Sequence, residues 1–237
     1  MSVPSLQIVP LPSPHEFVAG DRIATLLTGD AEANGTPLQN GDVLVVTQKI
    51  VSKVEGRVVS SDDHTKAELV ASESRRILRE RDGMVISETH HGFVCANAGI
   101  DFSNMPVGTV ALLPVDPDRS AQRIRAEMKA VCGIDIGVIV SDTFGRPWRK
   151  GLVDVAIGSA GIVALLDLRG ERDALGRELE VTEIAVVDEL AAAAELVMGK
   201  SAGVPAAVIR GVNPEWLAVE GQVQRDIVRP LDEDLFR

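Results

Sequence analysis

The chain contains no tyrosine, and phenylalanine and tryptophan bring its aromatic share to only 3%. Platforms on which nucleic-acid bases could stack are therefore scarce. Cysteine is almost as rare: Cys95 and Cys132 sit in apolar text (FVCANAG and AVCGID), which points to buried free thiols rather than a disulfide or a zinc site. No run of about eighteen apolar residues is present. Prolines interrupt the N-terminal text MSVPSLQIVPLPSPHEF, where a signal peptide needs an unbroken apolar segment. A soluble, cytoplasmic protein is expected. Positive charge is in deficit, with 24 basic against 35 acidic residues and a net charge of -11. That balance opposes generic binding to nucleic acid or to an anionic membrane, both of which rest on neutralising phosphates. Neither G-x-G-x-x-G nor G-x-x-x-x-G-K-[ST] occurs, so a bound nucleotide is held without either loop.

Apolar residues make up 45% of the chain, enough for one large core or two modest ones. No internal repeat or low-complexity linker divides it. One stretch stands out, Ile136 to Ile162, IGVIVSDTFGRPWRKGLVDVAIGSAGI. Ile136 to Val140 has the length of a buried strand, and Gly145 and Pro147 are expected to stop regular structure soon after. Asp142 and Thr143 then stand side by side at a strand end, offering hard oxygen ligands suited to Mg²⁺ or Mn²⁺. Arg146, Arg149 and Lys150 follow in a glycine turn, where they suit phosphate or carboxylate oxygens. An isolated Ser-Asp-Thr equally fits an aspartate that caps its turn, with the basic residues as a solvated loop.

Two further stretches carry candidate chemistry. In ISETHHGFVCANAGIDFSN, Asp101, Ser103 and Asn104 present oxygens in a short turn, and Asp101 is the natural partner of Asp142 for bracketing one divalent ion. The same text also fits a plain Asx-turn. His90 and His91, adjacent and on opposite sides of an expected strand, are not expected to be ligands. In GDVLVVTQKIVSKVEGRVV, the strand Val43 to Thr47 delivers Gln48, Lys49, Ser52, Lys53 and Glu55. That cluster suits a phosphate site, or an amphipathic helical turn whose lysines face solvent.

Elsewhere, Leu6 to Pro10 reads as a first strand followed by a structured loop. Phe17 to Leu27 reads as a short helix, and residues 29–39 as turns. A single surface helix is expected from Lys66 to Arg81, and a strand from Val110 to Leu113. Pro117, Asp118 and Ser120 open a helix that buries Ile124, Met128 and Val131. Strands are expected over Ile162 to Leu168, then, after a polar hairpin or loop, over a stretch that ends at Val181, and over Ala206 to Ile209. An alanine-rich helix from about Thr182 to Met198 stops at Gly199. Strands and helices alternate too loosely for a doubly wound sheet; the class is mixed α/β (α+β).

Five blocks, VVTQKIVSKVEGRVV, ETHHGFVCANAGIDFSN, LLPVDPDRSA, SDTFGRPWRKGLVDVAIGSAGI and PAAVIRGV, together resemble the coenzyme F420-0:L-glutamate ligases in order and spacing, over essentially the whole chain. The chain also resembles the ligase half of the actinobacterial two-domain form. The nitroreductase-like half of that form has no counterpart here, so no flavin activity is expected. The resemblance implies a V-shaped fold of several β-sheets flanked by helices, neither Rossmann nor P-loop. It treats residues 1–237 as one catalytic unit of two intimately packed subdomains, assembled as a homodimer. It also implies a GTP-dependent ligase that adds L-glutamate to coenzyme F420-0, and γ-linked glutamate to F420-1, through an acyl phosphate. Two divalent ions, Mg²⁺ or Mn²⁺, and K⁺ would assist.

Carried onto this sequence, Asp101 and Asp142 match the ligands of one metal, and Thr143 matches a ligand of the second. Asn104, Lys53 and Gln48 fall at nucleotide-binding positions, with Lys53 also in the catalytic set. Gln48 stands where some members have serine. Pro14, His15, Glu16 and Phe17 align with a loop that touches GTP. A metal-dependent phosphatase using the same aspartates, or a deazaflavin-binding protein without catalysis, remains open on the residues alone.

Overall fold

Val43, Leu44, Val45 and Val46 are all fully buried. Successive side chains of a strand point to opposite faces, so the sheet that contains them is covered on both sides. The computed structural model of the chain describes residues 5–235. The first part of the chain forms β1 (Gln7–Leu11), α1 (Ile23–Ala33), β2 (Val43–Thr47) and α2 (Gln48–Val54). A middle part forms β3 (Val58–Ser60), α3 (Lys66–Ser72), β4 (Ser74–Arg81), β5 (Met84–Thr89), β6 (Val94–Ala96) and β7 (Thr109–Ala111). The remainder forms α4 (Pro117–Cys132), β8 (Gly137–Arg146), β9 (Arg149–Ala160), β10 (Leu166–Asp167), β11 (Glu183–Ile184), α5 (Val186–Met198), β12 (Ala206–Arg210) and α6 (Val223–Asp226).

The main sheet has the order β1, β12, β2, β8, β9, and only β2 and β8 run parallel. Helix α4 packs on β8 and β9, while α5 packs on β9, β1 and β12. A parallel pair needs a crossover, and here it is the whole segment 48–136. That excursion carries a β3–β7 pair and a β4–β5–β6 meander. It has a small core of its own, built from Leu69, Val70, Ala98, Ile100, Val110 and Leu112. The mixed α/β class with several sheets is as expected.

Several element boundaries differ from the sequence reading, each for a visible reason. Helix α1 begins later than Phe17, because Phe17 is a buried core residue and Asp21 Oδ2 accepts the Val18 N–H at 2.8 Å, closing a turn first. It continues past Gly29 because Asp30 and Ala31 also face inward. The stretch 66–81 is not one helix. A Thr65–Glu68 capping box starts α3, whose last apolar anchors are Leu69 and Val70; beyond them Ile77 is 48% exposed, and the chain pairs with β5 instead. Val131, expected on the buried side of α4, is exposed.

Strand β8 does not stop near Val140. It runs on to Arg146 in a ladder with β9, and Pro147 and Trp148 alone make the turn, with Trp148 at φ 58. Asp142 and Thr143 are therefore inside a hairpin rather than at a strand end. Ile162 and Val163 are buried without being a strand, since their backbone bonds go to Gly221 and Trp216 of the C-terminal segment. The strand expected to end at Val181 is instead the short β11 beyond it. His90 and His91 lie in the turn between β5 and β6. Both cysteines are free thiols, Cys95 buried and Cys132 part-buried. No helix among the described residues is long and apolar enough to cross a membrane.

Candidate functional site

The parallel pairing of β2 and β8 ends at Thr47 and Ser141, where β2 stops and β8 runs on with β9 alone. Crevices at such strand ends are where open α/β sheets place ligands. A cleft here is lined by Gln48, Lys49 and Lys53 of α2, by Ser141, Asp142 and Thr143 of β8, and by Asp154 of β9. Its rim is completed by Glu195 and Lys200 near the end of α5, by Asn104, and by the loop bearing Ser13, His15, Glu16 and Phe17.

Helix α2 displays two lysines one turn apart on one face. Lys49 Nζ lies 2.6 Å from Asp101 Oδ2, and Lys53 Nζ lies 2.6 Å from Glu16 Oε1. One turn apart on the same helix, Gln48 and Ser52 are buried, with Ser52 Oγ 2.8 Å from Gln48 Oε1 and 2.7 Å from the Leu112 carbonyl. One hydroxyl proton cannot serve both acceptors, and Gln48 Nε2 is buried without a partner. Turning the amide over lets Nε2 donate to Ser52 while Ser52 donates to Leu112. Gln48 is thus a packed prop under the cleft.

On the hairpin, Ser141 and Thr143 are two residues apart and share a face. Both donate to Asp154, Ser141 to Oδ2 at 3.0 Å and Thr143 to Oδ1. The ammonium of Lys200 donates in turn to Thr143 Oγ1. Asp142 points the other way. Burial, then the charges of Asp101 and Asp154, push its carboxyl up to about 7, against the opposing pull of the Thr143 N–H and Lys49. Part of Asp142 is solvent-accessible, its open side being the cleft, but protein atoms surround it. Asp101 behaves oppositely: burial raises its pKa, yet Lys49 and the two hydrogen bonds from Ser103 outweigh that and hold it below the usual carboxylate value. Asp101 is anchored by paired backbone bonds to Ala111 of β7. The crossover and the hairpin thus deliver two acids, far apart in sequence, to one lysine.

A model of the family described as F420-0:Gamma-glutamyl ligase matches residues 14–211. The chain is 42% identical over 254 aligned positions to the coenzyme F420:L-glutamate ligase of Methanopyrus kandleri, covering 99% of both chains. It is 44% identical to the protein of that name from Methanothermobacter thermautotrophicus, covering 92% of this chain and 94% of the relative. With the one from Methanocaldococcus jannaschii it shares 42%, covering 85% and 86%. The chain belongs to the F420-0:gamma-glutamyl ligase family.

In this family member the residues singled out from sequence fall as follows. Asp142, Thr143, Lys53, Gln48, Asn104, His15, Glu16 and Phe17 line the cleft, and Asp101 stands behind Lys49 at its wall. Pro14 is exposed and lies outside the lining. Arg146, Arg149 and Lys150, marked from sequence as anion ligands, are exposed at the hairpin tip, where Arg146 Nη2 donates to the Lys150 carbonyl at 2.9 Å. The cations at the cleft are Lys49, Lys53 and Lys200 instead.

Several cleft residues escaped the sequence reading, Asp154, Glu195 and Lys200 among them. Asp154 is 3% exposed, and the signal was an acid inside the apolar run LVDVAIG, where a buried charge needs partners. Lys200 directly follows the helix stop Gly199, and nothing local marked it.

The divalent ions that the family resemblance implied can be tested against these donors. Among the described residues no three His, Cys, Asp or Glu side chains form a metal-binding group. Asp101 and Asp142 nevertheless suit one hard cation: two carboxylates lie close enough for one to raise the other's pKa, and phosphate and water oxygens can supply further ligands. Thr143 differs, because its hydroxyl is engaged by Asp154 on one side and by the Lys200 ammonium on the other.

Proposed function

We propose that the chain is a GTP-dependent ligase that forms an amide between L-glutamate and the terminal carboxylate of coenzyme F420-0, and then adds γ-linked glutamate to F420-1. Family membership and the shared name of its relatives support this reading. The observation that carries it is the meeting of Asp101 and Asp142 around Lys49, in a cleft that also holds Lys53 and Lys200.

Transfer of a γ-phosphoryl group to a carboxylate brings anions together, so the protein's task is positioning and charge neutralisation. Lys49 and Lys53 are each held by an acid that phosphate oxygens can replace, and both are already aimed at the cleft. Lysine suits this as a mobile point charge. The substrate carboxylate takes the γ-phosphoryl group and GDP leaves. The amine of glutamate then attacks the acyl carbon, the amide bond forms and phosphate departs. A divalent ion, Mg²⁺ or Mn²⁺, held by Asp101 and Asp142 would spread the negative charge of the phosphates. K⁺ and a homodimer belong to the same reading.

The test is to incubate purified protein with GTP, Mn²⁺, L-glutamate and F420-0, and to weigh the deazaflavin product by mass spectrometry. The expected product is heavier by one or more glutamyl units and depends on both GTP and glutamate. Phosphate release that needs neither glutamate nor the deazaflavin would make the protein a phosphatase. No turnover and no stabilisation by GTP would leave a binding protein. Light scattering tests the dimer, expected at twice the 25.2 kDa chain mass.

A further inference from the structure

Three oxygens from three different elements surround the ammonium of Lys200. It donates to Thr143 Oγ1 of β8, and it lies 3.7 Å from Asp154 Oδ1 of β9 and 3.9 Å from Glu195 Oε1 of α5. A hydroxyl and two carboxylates around one point are the hard-oxygen set that a small divalent cation takes. We propose that the Lys200 ammonium stands in the place of the second divalent cation, so that this chain holds one such ion, between Asp101 and Asp142, and supplies the other positive charge itself. The inference rests on the ligase reading above and goes beyond it in the number and nature of the cations.

The local structure fits that role. Gly199 closes α5 at φ 60, and the chain turns off the helix so that Lys200 comes back over the cleft. Asn104 Nδ2 donates to the Lys200 carbonyl at 3.0 Å, which fastens this loop to the crossover segment. Asp154 is 3% exposed, and Ser141 and Thr143 give it hydrogen bonds but no countercharge. A neighbouring cation stabilises a carboxylate so buried, and a tethered lysine provides one whatever the metal concentration outside. Once the ammonium is in place, its charge repels a divalent ion and its protons occupy the oxygens that ion would use.

Lys49 does not do the same for the other site. It forms its ion pair with Asp101 and acts on Asp142 through its charge, and among the described residues Asp142 has no ion-pair partner of its own.

The experiment is a pair of crystal structures grown with Mn²⁺ and GDP, read by anomalous scattering at the manganese edge and backed by equilibrium dialysis for Mn²⁺ per chain. The wild type is expected to show one manganese per chain, on Asp101 and Asp142, with Lys200 on Thr143 and Asp154. Lys200→Gln, which removes the charge and offers an amide oxygen, is expected to show two, the second on Thr143 and Asp154. Two ions in the wild type overturn the proposal, and so does a Lys200→Gln structure that keeps one. If the wild type has two ions and still makes the glutamylated product, only this inference fails. If it binds none, the metal chemistry of the ligase reading fails with it.

Discussion

Thr143 and Asp154 face each other directly across the β8–β9 ladder, and the threonine hydroxyl donates to the carboxylate. With Ser141 bonded to the other oxygen, the acid is satisfied on both sides inside the protein.

Asp154→Asn keeps the volume but puts an amide N–H₂ against a hydroxyl donor and removes the partner of Lys200. A loss of about 1–3 kcal/mol in unfolding free energy is expected, the range for a buried polar group left unmatched. Urea unfolding of Asp154→Asn, Thr143→Val and the double variant checks it. Strictly additive effects would show that the two residues are not coupled.

Asp142→Asn keeps the side-chain volume and removes one of the two acids proposed to hold a cation. GTP- and metal-dependent product formation is expected to fall by about a hundredfold or more, with an unchanged circular dichroism spectrum. Retained turnover at the normal metal requirement counts against the assignment of this residue.

His91 gives a pH dependence. Its Nε2 donates to the carbonyls of Pro114 and Val115, at 2.9 and 3.1 Å, while Nδ1 is buried without a partner. Burial lowers its pKa below the ordinary 6.5 more than the two carbonyls and Glu73 raise it, and His90 adds to the lowering. The fold accepts the neutral ring, so the stability tied to this group is complete above the unfolded value and is lost as pH falls through the lower folded value. Thermal melts from about pH 7 down to about pH 5 should fall more steeply for the wild type than for His91→Gln. Parallel curves would remove His91 from the account.

Cys95 is predicted to be inert. Burial, and then the Asp142 charge, push its thiol up to about 12. The thiolate is the reactive form, so iodoacetamide at mildly alkaline pH should leave Cys95 unmodified in native protein and alkylate it after denaturation. Peptide mass spectrometry reads the outcome directly; native labelling at Cys95 would contradict its burial.

Gly158 marks a close approach of strand to helix. A Cβ placed there would lie 2.3 Å from the Pro117 carbonyl carbon and oxygen, backbone atoms of α4. Gly158→Ala should therefore destabilise by about 1–3 kcal/mol, the usual scale for overpacking. A melting temperature equal to that of the wild type would mean that α4 can shift at no cost.

Where sequence and structure agree, local pattern and tertiary environment pull the same way. The β-branched run 43–47 is a strand buried on both faces, Pro117 and Asp118 open α4, and Gly199 ends α5. The acids 101 and 142 and the lysine 53 stand out in the sequence because they follow or interrupt apolar runs, and the structure brings them to the cleft or its wall. Disagreement arises where a distant partner decides. Arg75 to Arg81 keep a helical look, but pairing with β5 makes them a strand. Gly145 and Pro147 look like an early stop, yet β9 carries β8 past the glycine. Lys200 was invisible because its meaning comes from β8 and β9, which lie well before it in the chain.

The excursion 48–136 between the parallel strands has a consequence for biogenesis. On the ribosome β2 emerges long before its neighbour β8, and pairing them closes a wide loop, a slow and non-local event. Asp101 travels on that loop, whereas Asp142 arrives with the late strand. In a nascent or partly melted chain the two acids are therefore apart, and they come to the same cleft only once β8 has joined the sheet.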